Sequence, residues 1–486
     1  AAGEVRKKIF DFWKDFRQEL PDLPVETRGT NLSTGMDLSS DAVPLRDIYR
    51  DIHNITPPPN SPWAAINGDV GAELAGWMSH IAEIPPESGY PFRYYINDPW
   101  FMNSPWFDRY GKQAYDIYMP MAVTRLNEQG EVQGPDRVAF LSLDDSLGRT
   151  LEQIPDEVIP HVKEGIRTAP DCAGPVIWLY PFAEYHDMMS SESDIREIFF
   201  GDWFMRTAVN TGFQMNTVVS TDNFHAALEA GQCRGNVIAA PTAVLRRTDM
   251  IDRLSAFAAS GGRILLYGPV TSESAAAFLG LAVTEPVSGD MELHINDRVH
   301  RINHNPLYST GGIDTVVADG ETEVVALVAK DNHRRVAALV RTLSGGKNGK
   351  IGWVRGSNSF DIARNGRYPG MRDRNRYFYP ETLMRRVLGK LGCFYSFEKT
   401  AADLPDPMIV SHYHANALYL SAFAPDMTSA ECLRYPEGAP VFVQTETLIR
   451  KGAAEYHFSK SVHWECRVYV EMADGHVKCR EFPPTT

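Results

Sequence analysis

The sequence predicts an α/β protein with a partial TIM-type β/α barrel, a Rossmann/flavodoxin-like domain and a C-terminal β-sandwich. Three observations predict it. Apolar strand candidates alternate with helices through the first 165 or so residues, as parallel sheets covered by helices do. The alternation restarts near Cys172 with the run Pro-Val-Ile-Trp-Leu-Tyr. From about residue 405 short strands with turn signals dominate, the pattern of a sandwich.

The first region, 1–170, opens on an amphipathic helix carrying Ile9, Phe10, Trp13, Phe16 and Leu20. Pro24–Leu32 reads as a strand running into a polar loop, and Leu45–Asp51 as a short helix. Pro62–Gly68 and Phe92–Asn97 read as strands, with Ala72–Ile84 helical between them and Trp106–Gln113 helical after. Tyr115–Met121 reads as a strand followed by helix through Glu128, and Val138–Leu143 as a strand before the helix Pro155–Arg167. Roughly five strand–helix units result, against eight in a closed barrel of about 250 residues. The first strands would then come from elsewhere. An open doubly wound sheet, complete as it stands, is the alternative.

Residues 171–400 hold the strands Pro175–Tyr180, Asn216–Ser220, Asn236–Ala240 and Arg263–Tyr267. The helices Asp194–Thr211, Phe224–Ala230 and Met250–Ala259 lie between them. A β-rich stretch and the helix Pro380–Leu391 follow, and 401–486 is the β-sandwich.

The formal net charge of −14 excludes a partner that needs a basic surface, such as nucleic acid or an anionic membrane. No apolar run reaches the length of a membrane span. Arg364, Arg367, Arg372, Arg374 and Arg376 form the one basic cluster, read as a solvated loop or interface, with phosphate or sulfate binding as the alternative. The six cysteines show neither CxxC nor zinc spacing. They read as buried free thiols of a reducing, cytoplasmic compartment, with a Cys466–Cys479 bridge as an option. No G-x-G-x-x-G follows a strand, and no P-loop, HExxH or EF-hand is present, so neither cofactor nor metal is expected.

Parallel α/β folds bind ligands at the C-terminal ends of their strands. Those ends carry Glu26, Arg28 and Asn31; Asn67 and Asp69; Asn97, Asp98 and Trp100; and Asp144 and Asp145. Each acid alone reads as a strand stop or helix cap. Several around one barrel mouth, with Tyr94, Tyr95, Trp100 and Trp106, read as a sugar site. Glycosidic cleavage needs two carboxylates, one to protonate the leaving oxygen and one to attack or to activate water. Asp98 ranks first, Asp69 second and Glu26 third. Arg28 beside Glu26 suits it to the nucleophile's part. Arg28, Asn67, Asn97, Trp100, Trp106, Asp144 and Asp145 are candidate substrate-binding residues. Glu184, after the first strand of the second domain, is another. The position that would carry an amidotransferase nucleophile, after Asn-Val-Ile-Ala-Ala, reads Pro-Thr-Ala and has no cysteine.

The helix and strand Met250–Tyr267 ending Ala-Ser-Gly-Gly-Arg-Ile-Leu-Leu-Tyr-Gly-Pro, the run Gly349–Val354, the helix Glu381–Gly392 and the segment Ser411–Leu433 carry a family resemblance. In this order of domains the chain resembles the family 42 β-galactosidases and the family 112 galactosyl-N-acetylhexosamine phosphorylases, over roughly 60–486. The resemblance implies a glycoside-bond enzyme with an amidotransferase-like middle domain lacking its Cys. It also implies an oligomer in which that domain packs near a neighbour's barrel. Those hydrolases place Glu at strands four and seven. The strand-seven candidate here, Tyr115–Met121, has none, which opens the way to an Asp-based pair. A hydrolase completed by a second chain is the first expectation. A phosphate-dependent phosphorylase and a non-catalytic carbohydrate-binding subunit are the alternatives.

Overall fold

In a computed structural model of the chain the described residues are 2–26, 45–57, 60, 70–82, 84–85, 88–96, 104–108, 114–141, 151–188, 192–210, 212–304, 312–343, 347–356, 380–399, 408–415, 417–423, 429–434, 439–442, 446–450, 453–458, 468–473 and 476–481. A mixed sheet of eleven strands organises the middle of the chain. Its centre is parallel: β7 (Val176–Tyr180), β8 (Thr217–Ser220), β9 (Val237–Pro241) and β10 (Arg263–Tyr267), with the later strand β17 (Lys350–Val354) beside β10. These strands are apolar on both faces because both faces are covered. Trp178, Tyr180, Ala239, Leu265 and Tyr267 enter one core cluster. Ile177, Leu179, Ile238, Ile264 and Leu266 enter another on the opposite side, as the two-residue repeat of a strand requires.

Antiparallel strands extend the sheet at both edges. β12 (Gly289–Ile295), β13 (Arg298–His304), β15 (Glu323–Lys330) and β16 (His333–Thr342) continue beyond β17, while β11 (Leu281–Val287) pairs apart with β14 (Ile313–Val317). At the other edge β4 (Thr124–Leu126) joins β8 in parallel and β5 (Val132–Gln133) closes a hairpin. Residues 124–126, expected in a helix, are therefore strand.

Upstream, β1 (Val25–Glu26) pairs in parallel with β2 (Ile55–Thr56), and β3 (Pro91–Tyr95) with β6 (Arg137–Leu141). Tyr115–Met121, expected as a strand, is a helix. Its seven residues are all buried, so no polar face marks a period, and a short apolar run cannot be assigned by periodicity alone. The helix expected over 106–113 covers Pro105–Asp108 among the described residues.

The helix Val70–Ile81 ties the upstream segment to the sheet. It packs on the helix Glu192–Asn210 at Gly71, where a Cβ would come within 2.3 Å of the Arg206 carbonyl oxygen. The Gly71 N–H donates to Asn210 Oδ1 at 2.7 Å. At its far end Arg125, fully buried, donates to the carbonyls of Ile81, Ile84 and Pro85 and, at 2.7 Å, to Gln133 Oε1. A cation there completes the C-terminal end of the helix.

The C-terminal region forms two further sheets. β18 (Phe394–Lys399), β21 (Ser429–Arg434), β23 (Glu446–Arg450), β24 (Ala453–Phe458) and β26 (His476–Glu481) make the five-stranded one. β19 (Met408–His414), β20 (Ala417–Phe423), β22 (Ala439–Phe442) and β25 (Val468–Ala473) make the four-stranded one. β19 is anchored by His412 and His414 on the carbonyls of Thr168 and Ala169, each at 2.7 Å.

Cys233 and Cys393 are buried free thiols, and burial pushes both up to about 12. Cys172 is exposed, which corrects the expectation of burial for that residue. Cys466 and the arginine cluster at 364–376 lie outside the described residues.

Candidate functional site

Glu26 is the last residue of β1, a parallel strand, and so stands at the strand end where ligands meet such folds. Its side chain is 45% exposed and is ion-paired with the guanidinium of Arg93, which is 11% exposed. Arg93 is the middle residue of β3. Its backbone is fixed by Asn60, whose amide N–H donates to Arg93 O at 3.1 Å while its Oδ1 accepts from Arg93 N at 2.7 Å. Asn60 thus serves β3 as a neighbouring strand would.

Behind that pair lies a small, partly open cavity of about 10 Å³, room for about one water molecule. Arg93, Glu73 and Asp116 are its charged walls, with Asn60, Tyr94 and Tyr115 beside them. Glu73 comes from the first turn of Val70–Ile81 and Asp116 from the first turn of Tyr115–Met121. They are 4% and 9% exposed. Burial raises Glu73 well above the ordinary carboxylate range, and repulsion from Asp116 adds to it, while Asn60 acts in the opposite sense. Two acids forced together in a dry place cannot both be charged. Burial and the Asp116 charge likewise push the Tyr115 hydroxyl up. Sequence inspection passes over Glu73 and Asp116, because acids in the first turn of a helix are ordinary dipole partners.

Other expected residues fall differently. Arg28, Asn67, Asp69, Asn97, Asp98, Trp100, Asp144 and Asp145 lie outside the described residues. Trp106 presents no face to a sugar. It is 2% exposed, belongs to a core cluster with Phe92 and Tyr118, and its indole N–H donates to Glu157 at 2.7 Å. Tyr94 and Tyr95 are also buried. Among the described residues of 90–120, these aromatics serve packing.

Glu184 occupies a second polar centre, at the C-terminal edge of the parallel strands. It is 5% exposed and accepts from Thr221 Oγ1 at 2.9 Å, with Arg247 at 3.5 Å. Arg247 also holds Asp222 and Asp249, each at 2.9 Å. Burial raises Glu184, and Thr221 and Arg247 oppose that. Thr221 and Asp222 follow β8, Arg247 follows β9 and Glu184 follows β7, so this centre lies where the strand order reverses direction.

Among the described residues no group of three His, Cys, Asp or Glu side chains could hold a metal ion. No described helix is long and apolar enough to cross a membrane.

Strand order and acid placement together define a layered α/β protein with carboxylates at strand ends, and its fold is GH42-like. The chain superposes on Gan42B, a GH42 β-galactosidase, with a TM-score of 0.52 and 11% identity, covering 97% of this chain and 68% of that one. A catalytic mutant of Gan42B from G. stearothermophilus gives 0.52 and 12% over the same shares. The cold-adapted β-galactosidase of Rahnella sp. R3 gives 0.47 and 10%, over 95% of this chain and 65% of that one. No known protein-family profile matches the sequence. No curated protein matches it either.

Proposed function

We propose that the chain is a glycoside hydrolase acting on a galactoside-type sugar, with its carboxylates at the mouth of a TIM-type barrel. The observation that carries this is the ion pair of Glu26 with Arg93 at a parallel strand end, beside an acid-lined cavity, in a fold shared with β-galactosidases. In this reading Glu26 is the nucleophile, its charge favoured by the guanidinium. Asp98, three residues beyond β3 in sequence, is the acid that protonates the leaving oxygen. Asp69 is the alternative second carboxylate. Arg28, Asn67, Asn97, Trp100, Asp144 and Asp145 bind sugar hydroxyls and faces. The middle domain is amidotransferase-like without a nucleophilic cysteine, and Glu184 belongs to its own polar centre.

We also propose that a second polypeptide, or another copy of this chain, completes the barrel. Among the described residues the upstream strands form two separate parallel pairs, β1–β2 and β3–β6, which supports that reading. The buried free thiols Cys233 and Cys393 support a reducing, cytoplasmic setting.

The test is turnover of an aryl β-galactoside by wild type, Glu26→Gln and Asp98→Asn. Each substitution should lower kcat/KM by at least about 10³-fold, the scale of a lost catalytic carboxylate. Normal turnover in either variant removes that residue from the pair. Release of sugar 1-phosphate only when inorganic phosphate is supplied would assign a phosphorylase instead.

A further inference from the structure

We propose that the cavity behind Arg93 is a subsite for one exocyclic hydroxymethyl group of a hexopyranoside, gripped between Arg93 and Glu73. This inference rests on the glycoside-hydrolase reading and names the substrate class for that site.

Two polar atoms in the cavity wall have no hydrogen-bond partner, Glu73 Oε1 and Arg93 Nε. Buried groups of this kind are costly unless something satisfies them. One neutral hydroxyl complements both. Its oxygen accepts from the Arg93 Nε–H, and its own proton is donated to Glu73 Oε1. Charged ligands do not suit the place. The guanidinium repels a cation, while the Asp116 carboxylate repels an anion. Size sets a further limit, since about 10 Å³ admits a hydroxyl and excludes a sugar ring. Val70, Met119 and Pro120 complete the wall and offer apolar contact to the methylene that carries the hydroxyl. Arg93 also binds Glu26, so one side chain would place the hydroxymethyl group relative to the proposed nucleophile. Glu73 is then a specificity residue that the sugar-cleaving chemistry itself does not need.

The experiment compares two aryl glycosides of the same ring configuration. p-Nitrophenyl β-D-galactopyranoside carries the hydroxymethyl group, and p-nitrophenyl α-L-arabinopyranoside lacks it. The readout is the ratio of their kcat/KM values, so losses common to both cancel. Wild type should favour the galactoside by about 10²-fold, the scale at which a pocket senses one missing group. Glu73→Met should bring the ratio close to one, and Glu73→Gln, which keeps a hydrogen-bonding group, should retain most of the preference. An unchanged ratio in Glu73→Met overturns the inference and leaves the cavity to water alone, with the hydrolase reading intact. If the complete wild-type assembly, with the polypeptide that completes the barrel, turns over neither glycoside, the hydrolase reading falls and takes the subsite with it.

Discussion

Arg93 on β3 reaches Glu26 at the end of β1, a contact that, with Arg137 on Thr56, joins the two parallel strand pairs of the upstream segment beside an acid-lined cavity. The guanidinium is nearly buried while the carboxylate is half in solvent. An arginine in that setting orients its partner through a planar fork that lysine cannot reproduce. Arg93→Lys should therefore lower kcat more than it raises KM in aryl-galactoside assays. If KM alone changes, Arg93 serves binding and not the orientation of Glu26.

Glu73 gives the protein a pH signature. Its folded-state proton affinity is raised by burial and by Asp116, so the folded state binds the proton more tightly than the unfolded chain does. Glu73 contributes most at low pH and costs stability as pH rises above the free carboxyl value of about 4.3. Glu73→Gln removes that dependence. Its Tm relative to wild type should be flat below about pH 4 and should rise progressively toward neutral pH. A relative Tm that falls with pH, or stays level, contradicts the raised proton affinity of Glu73.

Gly71 is a packing requirement. A side chain there would press on the Arg206 carbonyl at 2.3 Å, and backbone cannot yield as a side-chain tip can. Gly71→Ala should cost ~1–3 kcal/mol by overpacking, measured as a shift of the urea midpoint. A gain in stability, as at an unconstrained helical glycine, would show that the two helices part readily.

Arg125 is buried on a ring of carbonyls that ends the Val70–Ile81 helix. Arg125→Leu leaves those oxygens unpaired at ~1–3 kcal/mol each. Amide exchange should then quicken first in the last turn of that helix. Uniform loosening of the whole chain would point to a different role.

How much of this could be read from sequence differs by element. β10 matches its predicted span, Arg263–Tyr267, residue for residue, because an apolar run bounded by turn residues leaves little choice of state. The helix at Tyr115–Met121 was illegible for the opposite reason. Its surroundings bury every side, so its residues carry no pattern, and Pro120 reads as a breaker. At the site, Glu26 was visible because strand ends mark themselves. Arg93, Glu73 and Asp116 were not, because a mid-strand arginine and first-turn acids look like ordinary surface residues until the fold brings them to one cavity. Trp106 shows the converse. An aromatic near a predicted mouth suggested sugar stacking, and the fold spends it on the core.

The account stands most directly on Glu26 as the attacking carboxylate. The measurement is the kinetics of Glu26→Ala on an aryl β-galactoside with and without added azide. Removal of the nucleophile should suppress turnover by about 10³-fold or more, and azide should restore it while yielding a glycosyl azide. Undiminished turnover in Glu26→Ala, with no azide product, would contradict the assignment.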